Sequence, residues 1–185
     1  REFVSFLAMQ GVGARAAQRI WNHYGSDSLR FVRENPYRLA DEVWGFGFRK
    51  ADEIAGKLGL PPTSIERARA GVIFTLTEAA GAGHTCVPAE ELLVRAEQLL
   101  QAADCPVRDA LDKAEKDKVV VREVFFDKAV VNQTEGSAYI YLSQLLAAER
   151  VAAKQIIRLT SGRMPPPLAD IQTIDAAAKR VNLTL

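Results

Sequence analysis

The sequence lacks the features that define several classes of protein. Its two cysteines, Cys86 and Cys105, fit no metal-binding or redox spacing, which favours reduced thiols in a cytoplasmic protein. No apolar run approaches the roughly 20 residues that cross a bilayer, and no signal peptide is present, so we expect no membrane partner. With 24 basic and 23 acidic residues the net charge is +1, so any binding of nucleic acid has to be local.

Catalytic patterns are also missing. No nucleophile–base pair is recognisable, and the Gly56-Lys57 pair is followed by leucine rather than by the Ser or Thr of a phosphate loop. His23 and His84 have no clustered metal ligands, so we expect no metal site. Positions 60–80 contain no aspartate, which argues against a DNA glycosylase. The segment is therefore predicted to have no catalytic residues of its own.

A repeated pattern is the most informative feature that is present. GVGARAAQRIWNHYG at Gly11–Gly25 recurs as GFGFRKADEIAGKLG at Gly45–Gly59. Each copy has a glycine pair before a helix, a basic residue in the first helical turn and a glycine at the end. The identical positions are Gly11/Gly45, Gly13/Gly47, Arg15/Arg49, Ala17/Ala51, Ile20/Ile54 and Gly25/Gly59. The pattern predicts two helix–hairpin–helix motifs.

These motifs have the chemistry of a phosphate-binding site. The start of a helix has unpaired N–H groups and the positive end of a dipole, and glycine lets a polyanion approach that backbone. We expect Phe46, Phe48, Trp21 and Trp44 in the core. The sequence leaves open whether one or both hairpins contact DNA. The candidate phosphate-binding residues are Gly11, Gly13, Arg15, Arg19, Gly45, Gly47, Arg49 and Lys50.

The predicted fold is mainly α, with three parts. Residues 1–60 are predicted to form a tandem helix–hairpin–helix domain that Pro61-Pro62 ends. Residues 63–142 are predicted to form a winged-helix-like α+β domain, because three helices and a short strand precede a β-hairpin. Thr63 is expected to be the N-cap of its first helix, in a capping box with Glu66. The expected helices are 2–10, 14–24, 27–34, 37–43, 48–58, 65–80, 88–100 and 106–118, and the expected strands are 84–87, 119–126 and 138–142.

The third helix of the winged-helix-like part is rich in acidic residues. Asp109, Asp112, Glu115 and Asp117 would repel phosphates, so this helix is better suited to packing or partner binding than to reading DNA.

The C-terminal part is expected to be a connecting helix at 143–162, followed by a linker at 163–185. Pro165–Pro167 would stiffen that linker. Since the chain begins with Arg1 rather than Met and ends on the apolar Val181–Leu185, we expect an internal segment of a longer protein.

Two stretches resemble the N-terminal region of long-form RecD-like DNA helicases, relatives of the exodeoxyribonuclease V alpha subunit. They are ENPYRLADEVWGFGFRKADEIAGKLGL (Glu34–Leu60) and ERARAGVIFTLTEAAGAGHTCVP (Glu66–Pro88). The resemblance implies a noncatalytic, DNA-backbone-binding accessory region of an ATP-dependent 5′–3′ helicase in DNA repair or recombination. ATP and Mg²⁺ would act in a motor domain that starts within or after residues 163–185. DNA, the motor domain and a protein bound by the winged-helix-like part are the implied partners.

The first copy departs from the family pattern, because Ala14 and Ala16 stand where the second copy has Phe48 and Lys50. The resemblance therefore favours the second hairpin as a DNA contact. The alternative is a protein–protein interaction or scaffolding module in which the hairpins are only structural, and the near-neutral charge favours that alternative.

Overall fold

The computed structural model describes residues 2–43, 45–102, 104–125 and 136–161. They lie in two compact units, 1–146 and 147–185. The described helices are α1 (Glu2–Met9), α2 (Ala14–Tyr24), α3 (Ser28–Glu34), α4 (Arg38–Glu42), α5 (Phe48–Lys57), α6 (Ile65–Gly81), α7 (Ala89–Leu100), α8 (Val107–Lys116) and α9 (Ser143–Thr160). The described strands are β1 (Cys86–Pro88), β2 (Val120–Phe125) and β3 (Ser137–Leu142). The predicted mainly α fold, with a small antiparallel sheet and a long C-terminal helix, is confirmed.

The first five helices lie close to their predicted bounds because strong local signals begin and end them. Gly25 and Gly59 follow α2 and α5 with φ of +57° and +76°, a conformation that L side chains rarely adopt. A 3₁₀ turn at Gly25–Asp27 delays the start of α3 to Ser28. The largest fully buried side chains of this part are Leu7, Ile20, Val32, Leu39 and Ile54.

The N-cap of α6 lies one residue later than expected. The predicted cap at Thr63 is wrong: Ser64 has the extended cap conformation, and its Oγ accepts from the Arg67 amide at 3.3 Å. Small residues let neighbouring helices pack closely on α6. A Cβ on Gly71 would lie 2.9 Å from Leu100 Cδ2, so α7 could not approach as closely if this residue were larger.

The three-stranded sheet lies in the second half of the first unit. Its strand order is β1-β3-β2, and both pairings are antiparallel. Val87 pairs with Ile140, and Val120 pairs with Leu142, so four buried apolar side chains join the sheet to the core. Three helices packed with a three-stranded sheet of this order agree with the predicted winged-helix-like unit. The turn predicted between the hairpin strands lies mostly outside the described residues.

The core runs without a break past Pro61-Pro62. The Phe48 ring stacks on the Phe74 ring of α6, with centroids 5.4 Å apart. Phe46 and Phe48 are buried as predicted, whereas Trp21 is 45% exposed, so its predicted core position is wrong. Trp44 lies outside the described residues. The predicted domain boundaries at 1–60 and 63–142 remain predictions.

Helix α9 begins directly after the sheet. The Ser143 amide donates to the Val119 carbonyl at 3.0 Å, and Leu146 is buried. Residues 147–161 belong to the second unit, and their side chains are exposed. The predicted linker at 163–185 lies outside the described residues. No helix in the described ranges is both long enough and apolar enough to span a bilayer.

Candidate nucleic-acid interface

Each copy of the repeat folds into the same glycine elbow, which we define as residues 11–13 and 45–47. Gly11 and Gly45 have φ of +79° and +73°, in the left-handed region that favours glycine. Gly13 and Gly47 then act as the N-caps of α2 and α5 in extended conformations, with ψ of 156° and 165°. The repeated sequence therefore encodes a repeated backbone geometry.

The central residue of each elbow anchors it in the core. Val12 and Phe46 are each only 3% exposed. Their amides donate to the carbonyls of Leu7 and Val43, at 2.9 Å and 3.0 Å. Since the central side chain points inward, the two flanking glycines of each elbow are exposed to solvent. The elbows are thus accessible to a ligand from outside.

The amides behind each elbow are available for an anion. No side chain caps α2 or α5, because the N-cap residue in both cases is a glycine without a hydrogen-bonding group. The first-turn N–H groups of a helix have no intrahelical acceptor, and the helix dipole places positive potential there. The amides of Ala16 and Lys50 already donate to the Gly13 and Gly47 carbonyls, so the two amides before them in each helix are the donors left for an anion.

Gly13 and Gly47 are not required by the backbone or by packing. Their φ values are −66° and −94°, which any residue adopts, and an added Cβ would meet no atom within 4 Å. The fold would accept a larger residue at either position. The practical effect of glycine here is an unobstructed path to the helix amides.

The predicted basic residues fall into two groups. Arg15, Arg49 and Lys50 are exposed, and none of their side chains makes a hydrogen bond or an ion pair within the described part of the chain. Arg19 is only partly exposed, and its buried Nε has no hydrogen-bond partner.

Arg19 belongs to the first motif but lies beside the second elbow. A Cβ on Gly45 would be 3.8 Å from both Cζ and Nη2 of Arg19. The structure therefore brings together Arg19 and Gly45, which are distant in sequence, at the elbow that Arg49 and Lys50 follow.

The first elbow contacts side chains that the sequence reasoning missed. A Cβ on Gly11 would lie 3.0 Å from Lys57 Nζ and 3.3 Å from Glu53 Oε1. Lys57 donates to the Glu53 carboxylate at 2.7 Å and to the Gln10 carbonyl at 2.9 Å. The hydrogen bond from Lys57 lowers the pKa of the Glu53 carboxyl. The available signal was the repeat itself, in which Glu53 occupies the position of Arg19.

Residues 1–86 match the family model described as the ATP-dependent RecD2 DNA helicase HHH domain. The matched region contains both elbows, all of α6 and the first residue of β1. The match covers 86 of the 185 residues, so the similarity is to this HHH domain over less than half of the chain, and we call residues 1–86 the HHH-like domain. The resemblance to the N-terminal region of a RecD-like helicase is thereby confirmed over these residues.

The HHH-like domain is followed by α8, most of whose acidic residues are paired. Arg122 of β2 bonds to Asp112 at 2.9 Å and to Glu115 at 3.1 Å. Arg69 of the HHH-like domain lies 3.4 Å from Asp117. These contacts give Asp112, Glu115 and Asp117 a structural role within the first unit.

Neither histidine lies in a potential metal site. His23, in the HHH-like domain, lies 3.6 Å from the Glu42 carboxylate, and the described residues contain no group of three possible metal ligands. Cys86 and Cys105 are free thiols, and burial raises the pKa of the Cys105 thiol.

Proposed function

We propose that the HHH-like domain binds the DNA backbone as a noncatalytic accessory region of an ATP-dependent 5′–3′ DNA helicase. The proposal includes a cytoplasmic setting and a role in DNA repair or recombination. The supporting observation is the pair of exposed, uncapped helix starts behind glycines that the fold itself does not require. Main-chain amides at such positions bind phosphate without reading sequence.

In this proposal ATP and Mg²⁺ act in the motor domain of the parent helicase. Within the described residues, the Gly56-Lys57 pair does not fit a nucleotide site. The Gly56-Lys57 pair lies at the end of α5 rather than at a helix start, and Lys57 is bonded to Glu53 and Gln10. We therefore assign no step of ATP hydrolysis to these residues, and we propose that the winged-helix-like part docks on the motor or on a partner protein.

Fluorescence anisotropy with duplex, forked and single-stranded oligonucleotides tests the proposal. The logarithm of the duplex affinity should fall with the logarithm of salt concentration at a slope of about −0.9 per phosphate contacted. Arg49→Ala should weaken binding by a similar factor, about fivefold, on unrelated sequences and reduce the slope by about one. Lys116→Ala removes an exposed positive charge from α8 and is the matched control, with an expected change below about twofold.

The scaffolding alternative is supported by the net charge of +1 and the neutralised surface of α8. In that case the elbows are architectural and the chain binds another protein. The absence of measurable DNA binding at low salt would select this alternative.

A further inference from the structure

We propose that the two elbows are unequal: phosphate is held at the second elbow together with Arg19 of the first motif, and the first elbow attracts phosphate less because Glu53 offsets the charge of Lys57. This inference rests on the proposed function. It deepens that function by assigning a composite site made from both copies of the repeat.

The first step is the reciprocal arrangement of the repeats. Arg19 and Glu53 occupy the same position in the two copies, 34 residues apart. Each side chain reaches the elbow of the other copy, since Arg19 lies against Gly45 and Glu53 lies against Gly11. Equivalent positions of the two copies therefore place a positive charge at the second elbow and a negative charge at the first.

The second step concerns the hydrogen bonding of Arg19. A guanidinium has five N–H donors, and a buried donor without an acceptor is costly. The Arg19 Nε is buried and unpaired, and Arg19 makes no ion pair with an acidic residue within the described part of the chain. A phosphate at the second elbow would face Cζ and Nη2 of Arg19, which lie 3.8 Å from the Cβ position of Gly45, and the guanidinium would pair with its negative charge.

The third step concerns the first elbow. The Glu53 carboxylate is 3.3 Å from the Cβ position of Gly11, where it would repel a phosphate. Lys57 Nζ lies 3.0 Å from the same position and offsets this repulsion, so the Glu53–Lys57 ion pair adds no net charge to the first elbow. Arg15 remains as the unpaired cation of this elbow.

The two elbows therefore differ in local charge although their backbones match. The second elbow has Arg19, Arg49 and Lys50; Lys50 also attracts Glu53 electrostatically, but none of the three forms a close ion pair within the described residues. At the first elbow Ala16 replaces the lysine of the second copy, and Glu53 replaces the arginine. A polyanion would be attracted more strongly to the second elbow.

The test compares Arg15→Gln, Arg49→Gln, Arg19→Gln and Glu53→Gln in the 185-residue chain, by anisotropy on one forked oligonucleotide at low salt. Arg49→Gln and Arg19→Gln should each weaken binding about fivefold or more, and several times more than Arg15→Gln. Glu53→Gln should strengthen binding by about threefold, because it removes a negative charge and keeps an oxygen that accepts from Lys57. Lys116→Gln serves as the charge-removal control outside the repeats.

The gain expected for Glu53→Gln cannot come from misfolding, and Arg19→Lys, which keeps the charge, should retain more affinity than Arg19→Gln. Equal losses for Arg15→Gln and Arg49→Gln would overturn the inference and leave the proposed function intact. An unchanged affinity for a folded Arg19→Gln variant would also overturn it. If the unmodified chain binds no DNA, the proposed function fails, and the composite site fails with it.

Discussion

At the residue scale, each elbow contains two glycines that are present for different physical reasons. Gly45 has a φ of +73°, which a residue with a Cβ adopts only at a cost, so the turn itself requires it. Gly47 has an ordinary backbone conformation and open space where a Cβ would be. Substitutions at the two positions therefore separate the requirements of folding from those of binding.

The variant Gly47→Ser should gain stability and lose DNA affinity. Serine is a better N-cap than glycine by a few tenths of a kcal/mol, because its hydroxyl accepts from first-turn amides. The same hydroxyl and the added Cβ would occupy the path that we assign to phosphate. Thermal unfolding followed by circular dichroism and anisotropy titration measure the two effects in one variant.

The matched variants are Gly45→Ala and Gly13→Ser. Gly45→Ala should lower stability by about 1 kcal/mol because it forces a side chain into the left-handed region. Gly13→Ser should stabilise α2 as Gly47→Ser stabilises α5. Full DNA affinity in a folded Gly47→Ser variant would contradict phosphate binding at the second elbow.

At the element scale, one arginine joins four segments of the first unit. Arg67 donates from Nε and Nη2 to the two carboxylate oxygens of Asp52, at 2.7 Å and 2.9 Å. Its Nη1 donates to the carbonyls of Pro62 and Leu100, both at 3.0 Å. Tyr37 adds a hydrogen bond from its hydroxyl to Asp52 at 2.8 Å. This network attaches α5, α6 and the end of α7 to one another.

Because of this network, we expect the free energy of unfolding to decrease at acidic pH. Burial by itself raises the pKa of the Asp52 carboxyl, but hydrogen bonds from Arg67 and Tyr37 outweigh it and hold the pKa below the ordinary 3.8. Because the pKa of Asp52 is lower in the folded than in the unfolded protein, its carboxylate contributes its full stabilisation at pH values above the unfolded-state pKa. That stabilisation is lost as pH falls from about 4 through the folded value.

The variant Asp52→Asn isolates this contribution. It should destabilise the chain by about 2 kcal/mol at pH 7, since a largely buried guanidinium loses its charged partner. The difference in the free energy of unfolding between this variant and the unmodified chain should become smaller toward pH 2. Glu90→Gln, in an exposed pair with Arg108, is the control and should change stability by less than about 1 kcal/mol. A difference that does not vary with pH would contradict this account.

At the scale of the whole molecule, residues 1–146 form one compact unit. The elbows are supported by α1–α5, and these helices share their core with α6 through the stacked Phe48 and Phe74 rings. The family match also extends through α6 to residue 86. The hairpins therefore depend on packing that continues beyond the predicted boundary at Pro61-Pro62.

We expect a fragment of residues 1–60 to lack a cooperative unfolding transition, because it loses Phe74 and Arg67. A fragment of residues 1–146 should retain one, since it keeps the shared core. Thermal unfolding of both fragments measures this. Cooperative unfolding of the 1–60 fragment, or two separate transitions in the longer one, would instead support independent domains at the predicted boundary.

Most of the helix positions could be predicted from the sequence because local signals determine them. Glycines at 25 and 59 end helices, and β-branched and aromatic residues are typical of the strands β2 and β3. The buried orientation of Phe46 followed from its position between two glycines. The failures were also local in origin, since Thr63 and Ser64 are both good caps, and adjacent sequence does not show which side of α2 faces solvent at Trp21.

The sequence by itself determined that two glycine elbows precede two helices, because glycine spacing and helix periodicity act over a few residues. Only the tertiary structure decided which charge lies on each elbow. Arg19 and Glu53 reach Gly45 and Gly11 because packing brings together residues that are 26 and 42 positions apart, and no local pattern specifies such a contact. The repeat therefore predicted two similar motifs, whereas the structure shows different electrostatic environments at the two elbows.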